Sequence, residues 1–137
     1  FASGSALGRF GREAVAAGQG VAVLAAAGGT LDDVRGEHVV AAARVGDADA
    51  RAVMGQFAWW VALGIANLVN VLDSEVVVIG GGLVEAGDLL LEPVRRCYHE
   101  LLMGADHREV VPIVAATLGE RAGAWGAALL AAARVPD

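Results

Sequence analysis

Three consecutive glycines, Gly80, Gly81 and Gly82, follow an apolar run of β-branched residues at positions 76–79. The run is short and does not alternate with polar residues, so it predicts a strand that is buried on both faces. Backbone without Cβ atoms adopts positive φ readily and can lie directly against a ligand, so the end of this strand is a candidate binding edge. On the triplet alone, a tight strand-to-helix turn that binds nothing is the favoured interpretation, because glycine-rich turns are common.

The elements around the triplet follow the pattern of an α/β protein. Apolar periodicity predicts helices over residues 3–17, 37–45, 48–72, 88–103 and 119–133. Residues 20–27 suit either a short strand or a short helix. A second apolar strand is predicted over residues 110–118, where Pro112 indicates a sheet edge or a strand start. Because no repeat or linker interrupts the chain, residues 1–137 are predicted to form one unit.

The longest predicted helix, residues 48–72, begins after Asp47, whose carboxylate can accept amide hydrogens of the first turn. Apolar side chains occupy most of the circumference of this helix, so it must be covered nearly all round. Trp59 and Trp60 are adjacent and therefore lie about 100° apart around the helix axis. Either one of them meets another domain or subunit, or both belong to the core.

Other candidate polar side chains carry weaker signals. Asn67 and Asn70 share one helix face, where they could bond neighbouring backbone or line a polar interface. His38 is predicted to be a solvent-exposed residue in a first helical turn, because its neighbours supply no metal or acid–base partner. Cys97 is predicted to be a small core residue, because His99 points away from it on the same helix.

The composition limits the possible partners. A chain of 137 residues with 56% hydrophobic and 19% charged residues can form one domain with a sizeable core. A net charge of −6 without an arginine cluster argues against a nucleic-acid surface. The apolar window at residues 53–72 contains Gln56, Asn67 and Asn70 and lacks basic flanks, so a buried helix is predicted rather than a membrane span. Cys97 is the single cysteine, which excludes an internal disulfide and favours the cytoplasm.

The predicted strands and helices together are typical of part of a larger fold. Two strands make a poor sheet, and two strongly apolar helices would lack enough sheet to cover. The chain begins at Phe1 without an initiator methionine or a signal-peptide pattern. We therefore expect further strands from residues upstream of Phe1 or from a partner.

Several ordered motifs resemble a known family. They are Ala2-Ser3-Gly4-Ser5-Ala6, the pair Gly46-Asp47, the run from Gly64 through Asp73 and Glu75 to Gly82, and Leu118-Gly119 followed by Ala122-Gly123 and Gly126-Ala127-Ala128. Together they resemble the C-terminal half of ROK family proteins, which are bacterial sugar kinases and repressors. The resemblance covers essentially the whole chain and is closest to actinobacterial-type glucokinases.

The resemblance implies the C-terminal part of an actin-like, ribonuclease-H-like ATPase of two lobes, with ATP and sugar bound between them. The implied reaction is phosphoryl transfer from ATP to the 6-hydroxyl of glucose, with Mg²⁺ on the phosphates and a homodimer as the assembly. The family's Asp-Gly-Gly-Thr phosphate loop, catalytic Asp, sugar-binding Glu and His, and zinc motif lie upstream of this chain. No catalytic or metal-binding residue is therefore expected here.

The resemblance also assigns a role to the triplet. Gly80, Gly81 and Gly82 match the family's adenosine motif, where backbone approaches the ribose and base of the nucleotide, and Leu83 follows that motif closely. The resemblance thus favours the ligand-binding interpretation of the triplet over the plain turn.

Other matched positions are less informative. Ser3 and Ser5 match a helix near the sugar side, although no ligand role is assigned to them. Ser74 stands where the family usually has Pro, and Glu120 and Arg121 replace the usual Asn-Asp. A kinase is the favoured hypothesis, and the alternatives are the C-terminal domain of a sugar-sensing ROK repressor and a domain that only dimerises.

Overall fold

The computed structural model of the protein describes residues 3–107 and 109–133. Within that part the helices are α1 (Gly4–Ala16), α2 (Val21–Ala26), α3 (Gly36–Arg44), α4 (Ala48–Leu72), α5 (Asp88–Leu101) and α6 (Ala122–Ala132), and the strands are β1 (Val77–Ile79) and β2 (Ile113–Ala115). Short 3₁₀ turns lie at Leu31–Asp33, Gly82–Ala86, Ala105–His107 and Gly119–Arg121. Phe1 and Ala2, the latter the first residue of the opening motif, lie outside the described residues.

The core forms where α4 packs against α5, α3 and α1. Asp47 caps α4 as predicted, because its Oδ1 accepts a hydrogen bond of 2.8 Å from the amide of Ala50. Cys97 is buried on the inner face of α5, again as predicted, and Pro93 lies inside that helix. The ambiguous segment at residues 20–27 is helical.

β1 and β2 form a two-stranded parallel sheet in which Val77, Val78 and Ile79 pair with Ile113, Val114 and Ala115, respectively. β2 is shorter than the predicted strand over residues 110–118, and pairing starts where the carbonyl of Pro112 accepts from the amide of Val77. Proline cannot donate to the ladder, which limits regular pairing on that side.

The predicted burial of residues 76–79 on both faces is wrong for the described chain. Val78 is 58% exposed, and its register partner Val114 is also exposed. Side chains of paired positions point to the same face of a sheet. Helices therefore cover one face of the sheet, and the face with Val78 and Val114 is open.

α4 is likewise covered on one side only, contrary to the prediction that it is covered nearly all round. Its nine buried side chains face the other helices, whereas Leu68, Val71 and Leu72 are exposed near its C-terminal end. By length and composition alone, α4 is long and apolar enough to cross a membrane. Its packing against α5, α3 and α1 is that of a core helix.

The adjacent tryptophans of α4 differ in burial, as expected from their spacing around the helix. Trp60 is half-buried against the core, while Trp59 is 39% exposed, and the two rings meet edge to face with centroids 5.0 Å apart. Asn67 and Asn70 both lie on the exposed side of the helix, so neither is a buried amide in the described chain.

α6 follows β2 through the turn Gly119–Arg121. All eleven of its residues are exposed, including Trp125, Leu129 and Leu130. An apolar helix without a covered face is unusual for a folded domain.

Glycines let α1 and α3 cross in very close contact. A Cβ added at Gly36 would lie 2.9 Å from the carbonyl oxygen of Gly4, and one at Gly8 would lie 3.1 Å from Cα of Arg35. A Cβ at Gly11 would lie 2.7 Å from Cγ2 of Val39. Side chains at these positions would therefore push the two helices apart.

Replacing Gly36 by alanine is expected to lower the free energy of unfolding by about 1–3 kcal/mol, because the new methyl group meets rigid backbone. Gly64→Ala on α4 is the matched control, since a Cβ there meets nothing within 4 Å. That substitution is expected to be neutral or to stabilise by up to about 1 kcal/mol. Urea unfolding of both variants measures the difference, and equal stabilities would contradict the close crossing.

Candidate functional site

The glycine triplet leaves the sheet at the edge where both parallel strands end. β1 ends at Ile79, whose carbonyl accepts the amide of Ala116 just beyond β2 at 2.8 Å. Gly81 has φ +92°, a conformation that residues with side chains rarely adopt. A Cβ at Gly81 or Gly82 would meet no atom within 4 Å. The triplet therefore presents bare backbone to open space at the carboxyl edge of a parallel sheet, where ligands bind in many α/β proteins.

That open space is a cleft of about 950 Å³. Its lining comes from α1 with Ser3 and Ser5, from α3 and the segment before it, and from residues 80–86. The volume is at the upper end of the range for small-molecule sites. The described residues thus bring the triplet and two helix starts around one cleft.

Side chains stabilise both helix starts beside the cleft. Oγ of Ser3 accepts from the amide of Ala6 at 3.3 Å and so caps α1. The amide of Arg35 donates to Nδ1 of His38 at 3.1 Å across the first turn of α3. His38 is therefore a half-buried capping residue and not the solvent-exposed histidine that was predicted. The amide end of each helix carries a partial positive charge.

The charged residues of the cleft lining are three arginines and three acidic residues, so their formal charges balance. The charged residues that line the cleft are Arg12, Arg35, Arg44, Asp32, Glu37 and Glu85. Two of the guanidinium groups also hold backbone in place: Arg12 donates to the carbonyl of Val34, and Arg44 to the carbonyl of Glu85, both at 2.7 Å. These contacts join α1 to the segment before α3, and α3 to the turn after the triplet.

A second, smaller cavity of about 150 Å³ lies against the triplet, between it and the segment after β2. Its lining includes Val84, Thr117 and Gly119. Residues 80–82 therefore contribute to the walls of both cavities.

The sequence model of the ROK family matches residues 8–134 of this chain. The chain belongs to the ROK family. This confirms the resemblance that the sequence motifs indicated.

Several proteins similar to this chain are sugar kinases. The glucokinase of Streptomyces coelicolor is 41% identical over the whole of this chain and 43% of its own length. A crystal structure of a ROK family glucokinase from Streptomyces griseus in complex with glucose and AMPPNP superposes with a TM-score of 0.88 at 34% identity, over 95% of this chain and 42% of that one. A ROK hexokinase from Thermus thermophilus gives a TM-score of 0.68 at 31% identity, over 94% of this chain and 38% of its own.

The ROK chain described here therefore spans less than half the length of the relatives that it matches. Its ROK glucokinase neighbours have an actin-like ATPase fold, and the described part is helix-rich with a parallel pair of strands. The predicted fold class is confirmed.

The residues that the ROK resemblance singles out lie together. Gly80, Gly81, Gly82 and Leu83 line the cleft with Ser3 and Ser5, although the two groups are more than 70 positions apart. Leu83 is half-buried and packs against the core, which anchors the turn after the triplet. The nucleotide-binding role of the triplet and Leu83 stays a prediction, and so does the position of Ser3 and Ser5 near the sugar side.

The charged lining of the cleft was not predicted from the sequence. Arg12, Arg35 and Arg44 occur singly along the chain and form no cluster that would mark a site. The sequence does carry one signal for this wall: Gly4, Gly8 and Gly11 lie on one side of α1, which indicates a close neighbour.

Within residues 3–107 and 109–133, no group of three or more His, Cys, Asp or Glu side chains is placed to hold a metal ion. Cys97 is buried on α5 and away from the cleft lining. The described residues therefore offer no protein cage for Mg²⁺ or zinc.

Proposed function

We propose that this chain is the nucleotide-side part of the C-terminal lobe of an ATP-dependent glucokinase, which phosphorylates glucose at the 6-hydroxyl. The observation that carries the proposal is the bare glycine backbone at the carboxyl edge of the sheet, facing a cleft large enough for a nucleotide. The similarity to Streptomyces glucokinases supports glucose as the acceptor, and the AMPPNP of the Streptomyces griseus complex supports ATP as the donor.

The residues of the triplet suit the adenosine end of ATP. Peptide groups at Gly81 and Gly82 carry no side chain that would hold a flat base or a ribose at a distance. Leu83 adds an apolar contact next to them. In this proposal, the triplet and Leu83 bind and orient the nucleotide. Most of the catalytic effect of phosphoryl-transfer sites comes from positioning and charge stabilisation.

The proposal places no chemical step on the described residues. They do not fit a metal cage, so Mg²⁺ is proposed to arrive on the ATP phosphates and to be held outside this part of the protein. The catalytic Asp and the zinc motif that the resemblance implies belong to the preceding lobe. This chain contributes nucleotide affinity and orientation.

The incomplete packing supports the assignment as one lobe of a longer protein, here called the parent enzyme. The relatives are more than twice as long as this chain. The open sheet face with Val78 and Val114, together with the uncovered helix α6, provides an apolar surface for the rest of the parent enzyme to cover. We also propose that the parent enzyme is a cytoplasmic homodimer, in keeping with the single buried cysteine and the resemblance.

Glucose 6-phosphate formation by the parent enzyme tests the proposal. With MgATP and glucose, the parent enzyme is expected to turn over, whereas the chain of residues 1–137 alone is expected to show no detectable glucose-dependent consumption of ATP. Turnover by the chain alone would contradict the two-lobe assignment. If the full-length protein binds DNA in response to sugar and does not phosphorylate glucose, the repressor alternative is favoured.

A further inference from the structure

The glycine triplet has no side chains with which to hold its own position. On its N-terminal side it is fixed by the sheet, through the hydrogen bond from Ala116 to the carbonyl of Ile79. On its C-terminal side it runs into the 3₁₀ turn Gly82–Ala86, of which Ala86 is buried in the core. The geometry of the triplet therefore depends on what holds this turn.

Arg44 holds the turn from outside the segment. It is the last residue of α3, and its Nη2 donates a hydrogen bond of 2.7 Å to the carbonyl oxygen of Glu85, 41 positions further along the chain. The acceptor is main chain, so the contact fixes the backbone of the turn and not merely one side chain. A guanidinium donor gives a stronger hydrogen bond than a neutral group does.

We propose that Arg44 is a positioning residue for nucleotide binding, because it ties the turn after the glycine triplet to α3. The inference rests on the proposed function of the triplet as the adenosine site. Arg44, Glu85 and the triplet line the same cleft, and α3 also supplies a helix start to that cleft. Loss of the contact is expected to let the triplet move relative to α3 and so to weaken ATP binding.

The chain offers a closely matched control at the same end of α3. Nε of Arg51 donates to the carbonyl of Ala43 at 3.4 Å, so this arginine also bonds backbone near the end of α3. Arg51 does not contribute to the lining of the cleft. Arg51→Ala therefore removes a side-chain contact to α3 without touching the turn after the triplet.

The steady-state test compares Arg44→Ala and Arg51→Ala in the parent enzyme. Arg44→Ala is expected to raise the KM for ATP about 3- to 10-fold, the effect of losing one such hydrogen bond, with the KM for glucose and kcat unchanged. Arg51→Ala is expected to leave all three constants unchanged. A rise in the KM for ATP of the same size in both variants, or no rise in Arg44→Ala, would overturn the inference.

Hydrogen exchange gives a readout that does not need activity. Amides of residues 81–87 in the nucleotide-free parent enzyme are expected to exchange faster in Arg44→Ala than in wild type, while those of α5 stay unchanged. If the wild-type parent enzyme fails to use ATP, the proposed function is refuted, and exchange alone then decides whether Arg44 holds the turn. Unchanged exchange at residues 81–87 would refute that role.

Discussion

Valine in place of Gly81 is expected to raise the KM for ATP of the parent enzyme at least about 10-fold, with little change in the KM for glucose. Two effects act together. The φ of +92° at this position is strained for a branched residue, and the new side chain occupies the space into which the nucleotide would come. Overlap of this kind costs about 1–3 kcal/mol, and about 1.4 kcal/mol corresponds to a tenfold change in affinity. Steady-state kinetics with each substrate varied in turn measures both constants.

Two further variants separate these effects. Gly18→Val serves as the strain control, because Gly18 also has positive φ, at +81°, and open space around it, but lies at the far end of α1 from the cleft. It is expected to lower stability without changing either KM. Gly82 lacks positive φ, and a Cβ there meets no atom of the protein within 4 Å, so a rise in the KM for ATP of Gly82→Val is attributed to overlap with the ligand. An unchanged KM for ATP in both Gly81→Val and Gly82→Val would refute the adenosine assignment.

The central features of the site were predictable because their signals are local. A β-branched run followed by glycines predicts a strand with a bare end, and Asp47 marks the start of α4 by the chemistry of one helical turn. The role of His38 was also within reach, since a side-chain acceptor at the third helical position can cap the first turn. The absence of metal and acid–base partners near His38 does not bear on capping, which is why the predicted exposure of this histidine is wrong.

The walls of the cleft were not predictable in the same way. They join segments that lie far apart in the chain, and the guanidinium groups of Arg12 and Arg44 reach carbonyls 22 and 41 positions away. Which carbonyl lies within reach is decided by the crossing of helices and not by neighbouring residues. An isolated arginine in a sequence therefore predicts nothing about such a contact.

The prediction for the sheet failed for a different reason. A run without polar alternation indicates burial on both faces, and the described chain leaves one of those faces open at Val78. Residue patterns report the environment in the complete folded protein. β1, β2 and α6 have apolar sequences but exposed side chains. One lobe of a longer protein is expected to show this combination.

Aspartate in place of Val78 is therefore expected to act very differently in two contexts. In the parent enzyme, where the open sheet face would be covered, a buried and unpaired carboxylate is expected to lower the free energy of unfolding by about 3 kcal/mol or more. In the chain of residues 1–137 alone, where Val78 is 58% exposed, the cost is expected to stay within about 1 kcal/mol, the span of strand propensity. Denaturant unfolding of both proteins measures the difference.

Val78→Thr refines the comparison, because threonine keeps the branched shape that suits a strand and adds only a hydroxyl group. It is expected to be nearly neutral in the chain alone and to cost about 1–3 kcal/mol in the parent enzyme, where the hydroxyl would lack a partner. Val21→Asp controls for the addition of a carboxylate at an exposed valine, since Val21 lies on α2, away from the sheet. Equal effects of Val78→Asp in both proteins would show that the open face stays open, and the two-lobe packing proposed for this surface would then be wrong.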